Sequence, residues 1–190
     1  MIAAVVLAAG GSSRMGKPKL LLTYHGKPLL LHVVDAATAS RVGRTVVVLG
    51  YGARELRGLL SGKPVEILFN REWPQGLSTS VKRGLAAVSP EAEAVLFLLA
   101  DQPLVTSEII DRLIEAFQAS RAAIVAPTYQ GRRGNPVLFS REMYPALEGL
   151  QGDQGGRALL ETYWEKVLMV EVASAAILRD VDTLEDYLDL

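Results

Sequence analysis

Two stretches of this chain, Val46-Val47-Val48-Leu49 and Val95-Leu96-Phe97-Leu98-Leu99, contain no polar residue. A strand with one wet face alternates apolar and polar side chains, so a strand that is apolar throughout must be covered on both sides. That requirement predicts an α/β protein with a mainly parallel sheet and helices packed on each face. The remaining pattern agrees. Apolar runs at 2–8, 45–49, 65–69, 94–99, 122–126, 136–139 and 167–172 alternate with helical patterns near 28–40, 52–60, 78–88, 106–118, 141–147 and 156–164. Thr106-Ser107-Glu108 reads as a helix N-cap with an acidic first turn. Gly/Pro clusters at 74–76, 131–136 and 149–156 predict loops. With 190 residues, no repeat and no linker, the chain is expected to form one domain over 1–190.

Composition removes several function classes. Twenty Lys+Arg against 21 Asp+Glu leave a net charge of −1, without the basic excess of a nucleic-acid binder. The absence of Cys excludes disulfides, thiolate catalysis and thiolate zinc sites. Two histidines, His25 and His32, are too few for a multi-histidine metal centre. The apolar start lacks a basic region before it and is expected to be a core strand, not a secretion signal. No stretch has the length of a membrane span, and a cytoplasmic location is expected.

The chemistry is concentrated after the first strand, in Leu7-Ala8-Ala9-Gly10-Gly11-Ser12-Ser13-Arg14-Met15-Gly16-Lys17-Pro18-Lys19. Backbone can approach a ligand closely at Gly10 and Gly11, and successive N–H groups can cradle an anion. Arg14, Lys17 and Lys19 supply neutralising charge, although an ordinary strand-to-helix turn with solvated cations has the same composition. The segment matches a P-loop until Pro18, which lacks the hydroxyl that would bind magnesium. Gly10 and Gly11 are adjacent, so the dinucleotide fingerprint is absent. Gly76-Leu77-Ser78-Thr79-Ser80 ends in Ser where a nucleophile elbow needs Gly, and no histidine follows it.

Two acidic segments complement that loop. Asp101, in Leu99-Ala100-Asp101-Gln102-Pro103, ends a strongly apolar strand; either it binds magnesium or it caps the next turn. In Asp180-Val181-Asp182-Thr183, strand alternation would turn both acids to one side, or one of them caps a last helix from Thr183 to Leu188. Loops at 8–19, 70–80 and 100–103 each follow a strand and can share one crevice at the carboxyl ends of the sheet.

These residues carry a resemblance to the molybdenum cofactor cytidylyltransferases, within the nucleoside-triphosphate transferases. The matching pieces are Leu7-Ala8-Ala9-Gly10, Ser12, Arg14-Met15-Gly16, Lys19, Asn70 with Trp73 and Gly76, Ser80, and Asp101-Gln102-Pro103. Arg133-Gly134-Asn135-Pro136, Gly152-Asp153 with Gly155 and Arg157, and Asp180-Val181-Asp182-Thr183 continue them over nearly the whole chain. The resemblance implies a three-layer α/β/α, Rossmann-like fold with a mixed, mostly parallel sheet.

It also implies roles. Backbone from Leu7, Ala8, Ala9 and Gly10 would sit against base and sugar. Arg14 and Lys19 would hold the triphosphate, Lys19 facing the attacked phosphorus. Asn70, Gly76 and Ser80 would help recognise base and ribose, unless Ser80 is a plain helix residue. Asp101 would bind Mg2+, with Asp182 as second ligand and Asp180 its fallback. Arg133, Asn135 and Arg157 lie in acceptor-side segments, and Trp73 either covers the site or packs on the sheet. Leu-Ala-Ala-Gly, where guanylyltransferase relatives carry Leu-Ala-Gly-Gly, resembles the users of CTP. Leu20 after Pro18-Lys19 departs from the isoprenoid cytidylyltransferases, which usually continue with Gln. The implied reaction is Mg2+-dependent transfer of CMP from CTP to a phosphorylated pterin cofactor, the product passing to a molybdenum enzyme. Another triphosphate or acceptor, a non-catalytic cofactor-binding partner and a glycosyltransferase are the other readings.

Overall fold

A computed structural model describes residues 1–11 and 18–190. In chain order the elements are β1 (Ile2–Ala8), β2 (Thr23–Tyr24), β3 (Lys27–Pro28), α1 (Leu29–Ala39), β4 (Arg44–Leu49), α2 (Ala53–Leu59) and β5 (Glu66–Phe69). They continue with α3 (Leu77–Val88), β6 (Ala94–Leu99), α4 (Ser107–Ser120), β7 (Ile124–Tyr129), β8 (Arg132–Arg133) and β9 (Val137–Ser140). The chain closes with α5 (Tyr144–Glu148), α6 (Gly156–Thr162), β10 (Val167–Glu171) and α7 (Leu184–Leu188).

The main sheet runs β10-β7-β9-β6-β1-β4-β5, with β8 pairing beside β7. β1 is parallel to both β4 and β6, β4 to β5, and β7 to β10, while β9 is antiparallel to β6 and β7. The sheet is therefore mixed and mostly parallel, as expected.

Period-2 alternation divides the core into two apolar layers. Ala4, Val6, Val47, Leu49, Leu96 and Leu98 face α1, α2 and α4, meeting Leu30, Val33, Leu56, Ile110 and Leu113. Ala3, Val5, Val46, Val48, Val95 and Phe97 face α3, α5 and α6, meeting Val81, Leu85, Leu147 and Leu160. Both faces of β1, β4 and β6 are covered, which is why their sequences carry no solvent-side positions. No helix among the described residues is long and apolar enough to cross a membrane.

The two-stranded β2–β3 ribbon and the short β8 have no counterpart in the apolar pattern. Two-residue strands leave no periodicity to read. Their geometry is set by turns: His25 and Gly26 between β2 and β3, and Gln130 and Gly131 between β7 and β8, all have positive φ.

α3 lies close to β1 because Gly84 carries no side chain. A Cβ there would stand 2.3 Å from Val5 Cγ1 and 3.3 Å from Val48 Cγ2, both on buried, β-branched residues. Ala would gain about 1 kcal/mol in helix propensity. Overpacking against so stiff a wall costs roughly 1–3 kcal/mol, so the clash wins. Gly84→Ala is expected to lower stability by about 1 kcal/mol net, read as a reduced urea midpoint at unchanged slope.

Asp35 of α1 joins Lys27 and Lys63, with contacts of 2.9 and 2.5 Å. Partial burial raises its pKa, but hydrogen bonds and charge from Lys63 and Lys27 outweigh that and hold it below the usual carboxylate value. A depressed folded pKa stabilises fully above the unfolded pKa and is lost as pH falls through the folded one. Asp35→Asn is therefore expected to flatten the acid limb of the thermal midpoint against pH, with its deficit greatest near neutrality.

Candidate active site

The carboxyl ends of β1, β4, β5 and β6 finish at the same edge of the sheet, since the four are mutually parallel in register. Main-chain hydrogen bonds carry that register into the loops. Ala100 N–H donates to Leu7 O (3.2 Å), Tyr51 N–H to Ala9 O (3.1 Å), and Asn70 N–H to Leu49 O (2.8 Å). Between these loops lies a cavity of about 530 Å³, within the range that holds small-molecule ligands.

Most of the expected site residues line it: Leu7, Ala8, Ala9, Gly10, Lys19, Gly76, Ser80, Asp101 and Asp182, with Trp73 among them. Arg14 lies outside the described residues, as do Ser12 and Lys17. Asp180, Asn70, Arg133, Asn135 and Arg157 do not line this cavity.

At one end, Lys19 Nζ donates to Asp101 Oδ2 and to Asp182 Oδ1, both at 2.8 Å. The three residues are 82 and 163 positions apart in the chain. Their meeting has a backbone cause: Val181 N–H donates to Asp101 O at 2.9 Å, stitching the 180–182 segment onto the end of β6. Asp182 is then oriented from below. Asp186 Oδ2 accepts from Asp182 N–H (3.0 Å), Thr183 N–H (2.7 Å) and Thr183 Oγ1–H (2.8 Å). Thr183 returns the capping box by accepting from Asp186 N–H at 3.1 Å. Thr183 thus caps α7, and neither Asp180 nor Asp182 is used for that purpose. The alternation argument for these two acids does not apply, because 179–183 is not a strand.

The charge states follow. Partial burial pulls the Lys19 pKa down, but the Asp101 charge and hydrogen bond, joined by those of Asp182, leave it raised. The ammonium stays protonated. The hydrogen bond from Lys19, against a smaller opposing effect of burial, holds Asp182 below the usual carboxylate range. Burial, with Asp182 and Asp101 nearby, pushes Asp180 up.

Asp101 Oδ1 is buried and has no hydrogen-bond partner among the described residues. A buried carboxylate oxygen without a partner is costly. Two carboxylates presenting hard oxygens suit Mg2+ or Mn2+, which take one or two carboxylates and complete their shell with phosphate and water. Asp101 and Asp182 fit that donor set.

At the other end, Trp73 stacks edge-to-face on Tyr51, ring centroids 5.8 Å apart, and lines the cavity as well. It is also partly buried against the core layer that includes Val46 and Val48. A Cβ on Gly50 would meet Ala9 O at 2.7 Å and Trp73 Cβ at 2.8 Å, so the aromatic wall can lie this close only beside glycine. Among the described residues, a Cβ on Gly10 would meet nothing within 4 Å, so none of them crowds that backbone.

Asn70 is 5% exposed, and its amide is used inside the protein. Nδ2–H donates to Thr79 Oγ1 (2.8 Å) and Ser80 Oγ (2.9 Å), and Oδ1 accepts from Glu72 N–H (3.0 Å). Its amide N–H groups are directed at the start of α3, and its oxygen closes the turn at Glu72. Arg157 is well exposed and pairs with Glu161 at 3.3 Å. Asn135 N–H donates to Ile177 O, a contact of the frame.

Asp153 also lines the cavity, and the motif reading had given it no role. Its loop is tied down by Ser78 N–H to Gly152 O (3.0 Å). It packs so tightly on Gly76 that a Cβ there would lie 2.3 Å from Gly152 O. Gly76 also has φ +113°, so glycine is required twice over. Gly76 followed by Gly152-Asp153 was the available signal, but its meaning depends on a contact 76 residues away in sequence.

The fold and this cavity together define a nucleotidyltransferase-type protein, and comparison with known proteins agrees. Residues 4–167 match the MobA-like NTP transferase domain, and the chain belongs to that family. It is 31% identical to nicotine blue oxidoreductase of Paenarthrobacter nicotinovorans, covering 97% of this chain and 93% of that protein. It is 30% identical to the purine catabolism protein PucB of Bacillus subtilis, covering 96% and 92%. The crystal structure of Rv0371c from Mycobacterium tuberculosis superposes with a TM-score of 0.88 at 30% identity, covering 99% of this chain and 96% of that one. A manganese complex of Rv0371c superposes at 0.86 with 29% identity, covering 99% and 96%.

Because Asp186 alone accepts three hydrogen bonds from Asp182 and Thr183, Asp186→Ala is expected to free this segment. Amide exchange at Asp182 and Thr183 should accelerate while the amides of β1 and β6 remain protected, as hydrogen-exchange mass spectrometry would show.

Proposed function

We propose that this protein transfers CMP from CTP to the terminal phosphate of a molybdopterin-type cofactor, with Mg2+, releasing pyrophosphate. One observation carries the reading: a single lysine ammonium lies 2.8 Å from each of two carboxylates, inside the cavity formed by the loop after β1. Lys19, Asp101 and Asp182 are the expected phosphate-binding and metal-binding groups, and Arg14 is assigned beside Lys19 on the sequence match. CTP is favoured over GTP by Ala9, the position at which guanylyltransferase relatives carry Gly. That Rv0371c was solved as a complex with manganese is consistent with a divalent ion on this protein.

The acceptor is already an anion, so its phosphate oxygen needs no general base before it attacks the α-phosphorus in line. Catalysis then rests on alignment and charge neutralisation. Lys19 places a fixed positive charge where negative charge builds up. Backbone at Leu7–Gly10 and the hydroxyl of Ser80, held by Asn70, position base and sugar. A divalent ion on Asp101 and Asp182 would supply further neutralisation of the phosphates. Trp73 and the 152–155 loop border the cavity and limit water.

A second reading keeps the chemistry and changes the acceptor. Two relatives of nearly equal identity bear unrelated names, and neither name mentions a pterin acceptor. Mass analysis after incubation with Mg2+, CTP and molybdopterin cofactor is expected to show the cytidine dinucleotide product. Dinucleotide from GTP alone, or tight pterin binding with no product, would replace the proposal with one of its alternatives. Lys19→Ala and Asp101→Asn are expected to fold and to slow pyrophosphate release by roughly 100- to 1,000-fold; wild-type rates in either would refute the assigned role.

A further inference from the structure

Lys19 does not point at open solvent where a triphosphate would lie; it is placed between the two acids assigned to the metal. The side chains of Lys19 and Asp101 are 15% and 20% exposed, so this is a partly desolvated contact, unlike the surface ion pairs elsewhere on the chain. The acids themselves are held by backbone, through Val181 N–H to Asp101 O and through the Asp186 contacts. The ammonium, by contrast, sits at the end of a four-carbon stem with several rotatable bonds. Of the three side chains that meet here, the lysine has the longest reach.

Charge gives the movement a cause. A divalent ion and the ammonium are like charges that compete for the same two carboxylates, with Asp180 close by, and holding both cations on Asp101 and Asp182 crowds them. Asp101 Oδ1 is buried and without a partner among the described residues, while Oδ2 is taken by Lys19. The carboxylate thus has donor capacity that the ammonium does not use. Triphosphate oxygens are strong acceptors for the same ammonium.

We infer that Lys19 is an exchangeable counter-cation that occupies the space between Asp101 and Asp182 until a nucleoside triphosphate draws it away. Nucleotide and divalent metal then bind cooperatively through one side chain. Free metal competes with Lys19, whereas metal arriving with nucleotide does not. This coupling rests on the nucleotidyl-transfer reading, but it makes a distinct demand on binding: removing the lysine charge should strengthen the binding of metal alone. Linkage requires the effect to be reciprocal, so metal also favours nucleotide.

Manganese binding tests it without turnover. The free Mn2+ signal in electron paramagnetic resonance is followed as protein is added, with and without CTP, for the wild type, Lys19→Gln and Lys19→Arg. The wild type is expected to bind Mn2+ weakly alone and more tightly with CTP. Lys19→Gln should bind Mn2+ alone about 5- to 150-fold more tightly than the wild type, the usual span of a coupling between two sites. Its gain from CTP should shrink, and Lys19→Arg, which keeps the charge, should resemble the wild type. Equal or weaker Mn2+ binding by Lys19→Gln would overturn the exchange alone. No Mn2+ binding by any form, even with CTP, would overturn the exchange and the metal assignment together. The wild type gives an independent readout in case the glutamine variant misfolds. With lysines dimethylated in 13C, the Lys19 resonance should move when CTP and Mg2+ are added together, and an unmoved signal at saturation would overturn the proposal.

Discussion

β1 pairs in parallel with β4 on one side and β6 on the other, and both of its faces are buried. Parallel strands all end at the same edge, and their connections must cross back over the sheet as helices. Loops that follow these strands are therefore neighbours however far apart they lie in sequence. Ala8 stands opposite Leu49, and Leu7 opposite Leu99, so the turns that follow open onto one crevice. If the central pairing were antiparallel, the glycine turn after β1 and Asp101 after β6 would sit at opposite ends of the sheet, with no shared cavity.

Upon that frame the site is assembled by a few bonds that cost little individually. Val181 N–H to Asp101 O brings the last acidic segment to the end of β6. The capping box of α7 then does two jobs, closing the helix N-terminus and fixing the main chain of Asp182. Asn70 behaves in the same way behind the opposite wall, spending its amide on Thr79 and Ser80 so that α3 begins in one place. Lys19 joins the two acids electrostatically, and mutual repulsion of those acids is offset by its charge.

Most of the architecture was readable from the linear chain because the buried strands are long and apolar enough to declare themselves. Ile2–Ala8 and Ala94–Leu99 coincide with the apolar runs, and α3 and α4 begin and end within two residues of their helical patterns. The β2–β3 ribbon and β8 were not readable, because two-residue strands shaped by positive-φ turns have no period. Asp180 and Asp182 were expected to alternate as in a strand; they lie instead in an irregular segment, where the main chain at Asp182 is held by a hydrogen bond to Asp186. Asn70 was expected to help recognise base and ribose; it does not line the cavity and donates to Ser80, which does, an arrangement that a linear motif cannot distinguish from direct lining.

The order of amino acids alone dictated a covered parallel sheet and a glycine-rich, cationic turn after its first strand, because hydrophobic period and residue type act locally. Folding in three dimensions chose which distant groups would meet. It joined Lys19 to Asp101 and Asp182, set Asp153 on the cavity by pressing Gly152 against Gly76, and turned Asn70 inward. Those outcomes depend on strand register and on hydrogen bonds between segments up to 163 residues apart, and contacts of that span leave no trace in any local window.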